Sequence, residues 1–162
     1  MEFHNLDPTY DKNSKILILG SFPSVKSREA GFPYNHAQNR FWPLMARLLN
    51  RQLPEDKSQW RQMLLDNGIA LWDVIASCEI EGSADSSITQ VTPNELLPII
   101  QGSKISRIFT NGRTADKLYR RLCLPETGIP AKKLPSTSPA NARMKLDDLL
   151  RAWQVILEEP PA

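Results

Sequence analysis

The stretch KILILGSFPS, residues 15–24, decides how the chain begins to fold. Its apolar run from Ile16 to Leu19 predicts a short strand buried on both faces, because a half-exposed strand would alternate apolar and polar side chains. Gly20 ends the run, and the small and polar residues after it predict a loop. A strand buried on both faces is typical of a parallel sheet with helices on each side.

Short strands and amphipathic helices alternate along the rest of the chain. Strands are predicted at 69–75, 105–109 and 132–134, and helices at 41–49, 58–66, 96–100, 114–122 and 146–157. Parallel neighbours in a sheet need a crossover between them, so this order predicts an α/β protein. We expect a three-layer α/β/α sandwich with a central, mainly parallel four-stranded sheet, formed by a single domain over residues 1–162.

Three helix boundaries carry explicit signals. Thr92-Pro93-Asn94-Glu95 combines an N-cap, a proline at the first helical position and a capping-box glutamate, so we expect a helix to begin there. Thr114 is expected to cap the next helix, after a turn at Asn111-Gly112. The last helix is expected to end before Pro160-Pro161.

Composition excludes several classes of protein. A hydrophobic content of 41% over 162 residues is enough for a core, and a net charge of +2 excludes a dominant acidic tail or basic arm. No apolar run reaches the roughly 18 residues of a membrane span, and the N-terminus lacks a signal-peptide pattern, so we expect a soluble, cytoplasmic protein. The cysteines and histidines (Cys78, Cys123, His4 and His36) show no metal-ligand spacing, which predicts reduced thiols and no metal.

The charges are segregated along the chain. Residues 62–103 contain six Asp or Glu and no Lys or Arg, whereas residues 104–133 contain eight Lys or Arg and two Asp or Glu. If the second stretch folds onto one side, it forms a local positive surface that attracts phosphate. A solvated, partly self-neutralised surface is the alternative.

The loops after the predicted strands are where a parallel sheet binds ligands. They cover residues 20–40, 110–113 and 135–141, are rich in amides, hydroxyls and aromatic rings, and contain Glu29 as their only carboxylate. They lack a phosphate-binding GxxxxGK[ST] or GxGxxG motif, a GxSxG nucleophile motif and the two carboxylates of a glycosidase. This composition suits a flat heterocycle held by stacking and edge hydrogen bonds.

Several motifs resemble one enzyme superfamily. The segment GSFPSVKSREAGFPYNHAQNRFWPLM, residues 20–45, resembles the first signature of the uracil-DNA glycosylase superfamily, especially its mismatch-specific uracil- and thymine-DNA glycosylases. FTNG, residues 109–112, and LPSTSPAN, residues 134–141, are similar to later motifs of the superfamily. Together with LWDVI and GSADSSI, these segments most resemble the DNA-deoxyinosine (hypoxanthine-DNA) glycosylases. The resemblance spans residues 15–141 and implies the same α/β fold.

The chain departs from the mismatch-specific enzymes at one position. Those enzymes carry a water-orienting Asn directly after the first strand, where this chain has Phe22. The resemblance to the deoxyinosine branch implies that Asn39, in the NRFW segment, takes the catalytic role. Its carbonyl oxygen is expected to hold a water in line with the anomeric carbon. Asn39 also precedes a predicted helix as a preferred N-cap, and the two roles can coexist on different atoms.

Four residues are candidates for contacts with the base. The resemblance places Tyr34 where the family stacks an extruded base, and Phe22 could form another wall, although either ring could belong to the core. The backbone amides of Ser21 and Phe22 and the side chain of Asn111 are candidates for hydrogen bonds to the departing base. Asn111 could equally be a turn residue in its Asn-Gly pair.

DNA contacts are expected from His36 and from the loop at 136–141. His36 could bond to a phosphate or the base, or be satisfied within its own loop. Within the loop, three hydroxyls can donate to phosphates, those of Ser136, Thr137 and Ser138. The region that fills the gap left by a flipped base is occupied by Ala140 and Asn141. The alternative for this loop is a turn that caps the C-terminal helix through Asn141.

The expected function is removal of deaminated bases, chiefly hypoxanthine, from DNA by a monomeric, monofunctional glycosylase that flips the base and uses no metal or cofactor. A pocket that donates to the carbonyl of hypoxanthine would reject adenine by leaving a donor unpaired. A mismatch-type uracil-DNA glycosylase, against which Phe22 argues, and a non-catalytic nucleic-acid-binding module are the alternatives. For Asp73 and Asp85 we expect only that they brace loops.

Overall fold

A computed structural model describes residues 1–159 of the chain. Its strands are β1 (Glu2–Phe3), β2 (Ile16–Gly20), β3 (Ile69–Asp73), β4 (Ile75–Glu79), β5 (Thr89–Pro93), β6 (Arg107–Asn111) and β7 (Ala131–Leu134). Its α-helices are α1 (Val25–Ala30), α2 (Phe41–Leu48), α3 (Trp60–Asp66), α4 (Leu97–Gln101), α5 (Arg113–Leu122), α6 (Leu124–Thr127) and α7 (Leu146–Trp153). Short 3-10 segments cover Lys57–Gln59, Asp85–Ser87 and Gln154–Leu157.

Four strands form a fully parallel sheet in the order β3-β2-β6-β7. The residues of β2, near its centre, are all buried. Ile16 and Ile18 belong to a core built with α2, α3 and α7, whereas Leu17 and Leu19 belong to a second core built with α4 and α5. Alternate residues of a strand point to opposite faces, so helices cover both faces of the sheet. The expected α/β/α sandwich is therefore confirmed.

A second sheet was not expected from the sequence. It is antiparallel and three-stranded, in the order β1-β4-β5. The single strand predicted over residues 69–75 is split at Val74, because β3 stays in the parallel sheet and β4 leaves it. The N–H groups of Val74 and Ile75 donate to the carbonyls of Gly20 and Ser21 at 2.8 and 3.1 Å, which fixes this change of direction. A continuous apolar run does not reveal which sheet each half joins.

The helix start predicted at Thr92 is wrong. Residues Thr89–Pro93 form β5, and α4 begins at Leu97 with Leu96 as its N-cap and without a side-chain cap bond. Thr92 is paired with Ser77 of β4, so its backbone is used in the sheet. Pairing with a distant strand has overridden a local capping signal, since local signals are weaker than tertiary pairing.

Two other helix boundaries also differ from the prediction. The N-cap of α5 is Gly112, with a φ of 95° that favours glycine, and Thr114 lies in the first turn of the helix. The C-terminal helix ends at Trp153 and continues as a 3-10 segment to Leu157. The predicted stop at Pro160-Pro161 lies outside the described residues.

Candidate active site

The carboxyl ends of β2, β3 and β6 open into one cleft of about 810 Å³. Loops that are distant in sequence meet there because the carboxyl ends of parallel strands share one edge of a sheet. The lining includes every site residue predicted from the sequence: Ser21, Phe22, Tyr34, His36, Asn39, Asn111, Ser136, Thr137, Ser138, Ala140 and Asn141. It also includes a segment that the sequence did not place there, residues 83–86.

One set of lining residues, which we call the amide wall, consists of Asn39, Thr137, Asn111 and Tyr34. Asn111 Nδ2 donates to the hydroxyl oxygens of Tyr34 at 3.0 Å and Thr137 at 3.1 Å. The Thr137 hydroxyl donates in turn to Asn39 Oδ1 at 2.9 Å. The Thr137 N–H closes the network by donating to Asn111 Oδ1 at 3.0 Å. Each side chain is thus held in one orientation by its neighbours.

Asn39 is fixed through its carbonyl oxygen. Oδ1 accepts from the Phe41 N–H at 2.9 Å, in the first turn of α2, as well as from Thr137. An N–H can only donate, so the atom that faces it must be oxygen. Arg40 is the formal N-cap and makes no side-chain cap bond, so Asn39 supplies the side-chain acceptor at this helix start. Both lone pairs of Oδ1 are in use, whereas Nδ2 has no partner within residues 1–159 and presents a donor.

Asn111 reaches the cleft, but its side chain is bound within the protein. Both Nδ2 hydrogens and one lone pair of Oδ1 are used by Tyr34 and Thr137. The residue ends β6, directly before the turn at Gly112. Donation from Asn111 to a base therefore requires that one of the Nδ2 bonds break first, whereas the second lone pair of Oδ1 stays available.

The two aromatic candidates differ in what covers them. Tyr34 is half-buried, and its ring stacks on Phe41 with the centroids 4.2 Å apart and an angle of 18°. Only the other face can take a second ring. Burial and the nearby Asp73 raise the pKa of the Tyr34 hydroxyl, which keeps it protonated. Phe22 is 8% exposed and belongs to the second core, as the alternative for this ring predicted. The Arg28 guanidinium lies 5.1 Å from its ring centroid.

His36 and the serines of the 136–141 loop surround the mouth of the cleft. His36 Nδ1 accepts the Gln38 N–H at 3.1 Å, so one side of its ring is satisfied within its own loop. The hydroxyls of Ser136 and Ser138 accept the backbone N–H groups of Ser138 and Ala140, each at 3.1 Å. These hydroxyls accept from the backbone and keep their own hydrogens available.

In the same loop, Thr137 is placed differently from the expectation, and the capping alternative for Asn141 is wrong. Thr137 is fully buried and its hydroxyl donates to Asn39, so it holds Asn39 instead of facing a phosphate. Asn141 does not cap the C-terminal helix, because the N-cap of α7 is Lys145. Its Nδ2 donates to the Ser136 carbonyl at 3.0 Å and closes the loop on itself.

Arg40 holds this loop in place and was missed as a candidate. Its guanidinium donates to four backbone carbonyls, those of Thr137, Ser138, Asn141 and Met144. The planar fork of arginine donors suits several fixed acceptors at once. Its position inside the NRFW segment, which resembles a family motif, was the sequence signal that could have identified Arg40.

A second set of residues, which we call the carboxylate wall, consists of Asp73, Asp85 and Ser21, which line the cleft, and His4, which contacts Asp73 without lining the cleft itself. Asp73 is 8% exposed, and its Oδ2 accepts from His4 Nε2 at 2.8 Å. Ser21 Oγ donates to both carboxylate oxygens of Asp85 at 3.1 Å. The expectation of a cleft poor in carboxylates is therefore corrected. Asp73 ends β3, and Asp85 arrives from a loop between two strands of the unexpected sheet.

The two walls meet above Gly20. A Cβ at this position would clash with Asp73 Oδ1 and lie 2.8 Å from the Tyr34 hydroxyl oxygen. Asp85 is more exposed, yet loss of water around its carboxyl group raises its pKa, an effect that the hydrogen bond from Ser21 opposes. The absence of a side chain at Gly20 lets both walls approach the end of β2.

The basic stretch predicted from the sequence reaches the cleft at one residue, Arg113, which is exposed at its rim. The other exposed cations of α5 and β7 are Lys117, Arg120, Arg121, Lys132 and Lys133. Arg120 pairs with Asp116 at 3.0 Å, so the surface is partly self-neutralised, and the other four cations have no ion-pair partner among residues 1–159.

Within residues 1–159, no three His, Cys, Asp or Glu side chains converge in a way that could hold a metal ion. No helix in this range is long and apolar enough to cross a membrane. Cys78 and Cys123 are free and buried, and burial raises the pKa of Cys123 to about 11.

Comparisons with known proteins identify the family. The family model for the uracil DNA glycosylase superfamily matches residues 8–157. A hypoxanthine DNA glycosylase of Methanosarcina acetivorans is 37% identical over 136 residues, covering 82% of this chain and 84% of that protein. Another, of Methanosarcina barkeri, is 31% identical over 145 residues, covering 88% and 90%. The solution NMR structure of a Methanosarcina acetivorans protein assigned to the uracil DNA glycosylases superposes with a TM-score of 0.79 at 30% identity, covering 96% of this chain and 98% of that one. The chain therefore belongs to the uracil DNA glycosylase superfamily.

Proposed function

We propose that the protein is a monofunctional DNA glycosylase that hydrolyses the N-glycosidic bond of hypoxanthine in DNA, a step of base excision repair. Superfamily membership and two relatives named hypoxanthine DNA glycosylase support this activity. One observation carries it: the cleft brings an open Asn39 amide, a Tyr34 ring stacked on one face and a partly unpaired carboxylate to a single edge of the sheet.

The base reaches this cleft by leaving the DNA stack, because a group inside a cleft cannot approach the anomeric carbon within a duplex. A cleft of about 810 Å³ can hold a purine nucleotide. The open face of Tyr34 supplies the stacking surface. The backbone N–H groups of Ser21 and Phe22, at the end of β2, donate to the departing base.

Asn39 positions the attacking water in this proposal. The bond from C1′ to N9 breaks with its electron pair passing to the base, which leaves a sugar with oxocarbenium character. Water then adds to C1′ and releases a proton to solvent or to the departed base. The bonds from Phe41 and Thr137 occupy Oδ1, so the task expected of the carbonyl oxygen passes to Nδ2, which holds the water oxygen. Positioning of this kind needs no strong base.

The loop held by Arg40 is proposed to contact the DNA. Ala140 and Asn141 occupy the gap left by the flipped nucleotide. Phosphate contacts come from the rim of the cleft, namely from His36, Ser136, Ser138 and Arg113. Such contacts position the duplex and carry no sequence information, which suits an enzyme that acts wherever a damaged base occurs.

We further propose that the protein works as a monomer, without a metal or cofactor, in the cytoplasm. All the groups assigned above belong to one chain, and water is the only co-reactant in the hydrolysis. The buried free thiols of Cys78 and Cys123 suit a reducing compartment.

Alkali-revealed cleavage of labelled duplexes containing one deoxyinosine, one deoxyuridine or neither, with EDTA present throughout, tests the proposal. We expect base release at deoxyinosine. Release at deoxyuridine alone would instead support a uracil glycosylase, a second candidate favoured by the family model and by the NMR structure. Intact duplex binding with no release from either would replace the proposal with a non-catalytic nucleic-acid-binding module.

A further inference from the structure

His4 is buried in the carboxylate wall and has no part in the reaction proposed above. It follows β1, whose residues pair antiparallel with β4, and its N–H donates to the Ala76 carbonyl at 2.8 Å. Its side chain is 3% exposed and lies against Asp73. The His4 side chain thus connects the N-terminal segment to Asp73, a residue of the cleft lining.

The hydrogen bonds of His4 fix the position of its proton. The Leu6 N–H donates to Nδ1 at 3.2 Å, so Nδ1 must offer a lone pair. The hydrogen of the neutral ring is therefore on Nε2, which donates to Asp73 Oδ2 at 2.8 Å. The rings of Trp72 and Phe22 stand edge-on to the imidazole, with centroids 5.7 and 6.2 Å away, and resist its rotation.

Asp73 has a second oxygen that the protein does not use. Within residues 1–159, Oδ1 accepts no hydrogen bond, and it borders the cleft above Gly20. A nearly buried carboxylate with an unused acceptor is costly unless a donor reaches it. The position is suited to an N–H group of a ligand in the cleft.

The other polar groups of the cleft are less suited to this task. Both Nδ2 hydrogens of Asn111 are bound, and its neutral Oδ1 already accepts the Thr137 N–H, which leaves one lone pair; Asn39 offers a donor and no free acceptor. Asp85 is more exposed, and both of its oxygens already accept from the Ser21 hydroxyl. Asp73 has a fixed orientation and, as a carboxylate with one oxygen unused among residues 1–159, is a stronger acceptor than the neutral Asn111 oxygen.

We propose that Asp73, oriented by His4, reads the ring N–H that distinguishes a deaminated base from its parent. Hypoxanthine carries a hydrogen at N1 and uracil at N3, whereas adenine N1 and cytosine N3 are bare acceptors. Oδ1 accepts that hydrogen, and a bare ring nitrogen meets it lone pair to lone pair. Asp73 is then a specificity-determining residue and His4 a positioning residue. The inference rests on the proposed function, because it names the class of base that the same cleft selects.

The variant Asp73→Asn tests this reading. His4 Nε2–H still needs an acceptor, so the new amide turns its oxygen to His4 and its Nδ2 toward the base as a donor. Single-turnover excision of hypoxanthine should fall about 100-fold or more, and so should the ratio of hypoxanthine to adenine excision. An unchanged ratio overturns the proposal.

Two variants of His4 form a matched pair. His4→Gln can place an amide N–H near the position of Nε2, whereas His4→Asn reaches only the position of Nδ1. We expect His4→Gln to keep most of the preference for hypoxanthine over adenine. In His4→Asn this preference should fall about tenfold, because a single hydrogen bond is worth roughly that factor. Equal preferences in the two variants overturn the positioning role, whatever their melting temperatures.

Binding of the free bases separates this inference from the proposed function. NMR titration of the wild type and of Asp73→Asn with hypoxanthine and with adenine needs no catalysis. A wild type that prefers hypoxanthine, with the preference lost in the variant, supports the role of Asp73 even if no base is released from DNA. A wild type that excises hypoxanthine while both proteins bind the two bases alike overturns the inference and leaves the glycosylase intact.

Discussion

The amide wall and the carboxylate wall line one cleft but use their hydrogen-bonding groups differently. In the amide wall, Asn111 and Thr137 bond to neighbouring side chains, and the groups left open are neutral: the Asn39 donor and one lone pair of Asn111 Oδ1. In the carboxylate wall, Asp73 keeps an oxygen without a partner among the described residues. A largely satisfied network holds a water or a sugar in place, whereas an open charged acceptor selects a ligand by its donors.

The two walls are also assembled differently. The amide wall joins loops that follow β2 and β6 and the segment after β7, so it depends on the parallel sheet. The carboxylate wall needs the antiparallel sheet as well, because β1 brings in His4 and the loop between β4 and β5 brings in Asp85. Damage to the antiparallel sheet should therefore alter base selection more than it alters water positioning.

The largest effect is expected in the amide wall, from Asn39→Ala. Loss of the donor that holds the water should lower excision on the order of 100- to 1000-fold in single-turnover kinetics, with duplex binding retained. Loss of the acceptor for the Phe41 N–H should lower the unfolding free energy by about 1 kcal/mol.

Asn39→Asp separates these two roles. A carboxylate can still accept from Phe41 and Thr137, so we expect near wild-type stability but the same loss of excision. Wild-type excision in this variant would show that Oδ1 of Asn39, and not Nδ2, positions the attacking water.

Gly20→Ala should affect both walls at once. The added methyl group would clash with Asp73 Oδ1 and crowd the Tyr34 hydroxyl, so we expect about a 100-fold loss of excision and about 1–3 kcal/mol of unfolding free energy. Denaturant unfolding and single-turnover assays measure the two. Gly128→Ala is the control: it strains a position with a φ of 70° but meets no atom within 4 Å, and excision should persist.

Thr137→Val removes the hydroxyl that links Asn111 to Asn39 while it keeps the shape of the side chain. Two partly buried groups, on Asn39 and Asn111, lose one partner each, so we expect a loss of about 1–3 kcal/mol in unfolding free energy and about tenfold in excision. Thr127→Val, which removes a hydroxyl bonded to Tyr119 outside the cleft, should lower stability alone. A similar loss of excision in both variants would show that the amide wall is merely structural.

The smallest effect is expected from Asp85→Asn, as a change in pH dependence. The pKa of Asp85 is raised above its ordinary value of 3.8, so the folded protein holds its proton more tightly than the unfolded chain. The contribution of Asp85 to the unfolding free energy therefore falls as pH rises from the ordinary pKa to the raised pKa. Above the raised pKa this destabilisation no longer changes with pH. The unfolding free energy of the variant relative to wild type should rise across this window by less than about 1 kcal/mol, since Asp85 is partly exposed. A difference that falls with pH would contradict the raised pKa.

Much of the amide wall could be predicted from the sequence. Asn111 ends a strand of the parallel sheet, and Asn39, Tyr34 and Thr137 lie in loops after such strands. Strand ends and loops of this kind meet at one edge whatever their separation along the chain. What the sequence could not show was which atoms stay free. The reassignment from Asn39 Oδ1 to Nδ2 depends on two bonds, one of them to a residue 98 positions away.

The carboxylate wall was not predictable in the same way. His4 stands in an N-terminal segment without periodicity, and it meets Asp73 over 69 positions because β1 pairs with β4. The segment at Thr92 carried a strong helix-start signal and nevertheless became a strand, since β4 offered a partner. Pairing with a distant strand leaves no local pattern to read.

The sequence by itself determined the layered α/β architecture, the edge of the sheet that carries the cleft and the superfamily, because hydrophobic periodicity and linear motifs are local properties of the chain. Only the tertiary structure decided which polar groups of the cleft are satisfied and which stay open. Those states follow from hydrogen bonds between segments far apart in the chain, and they exist only once the strands have taken their order in the sheets.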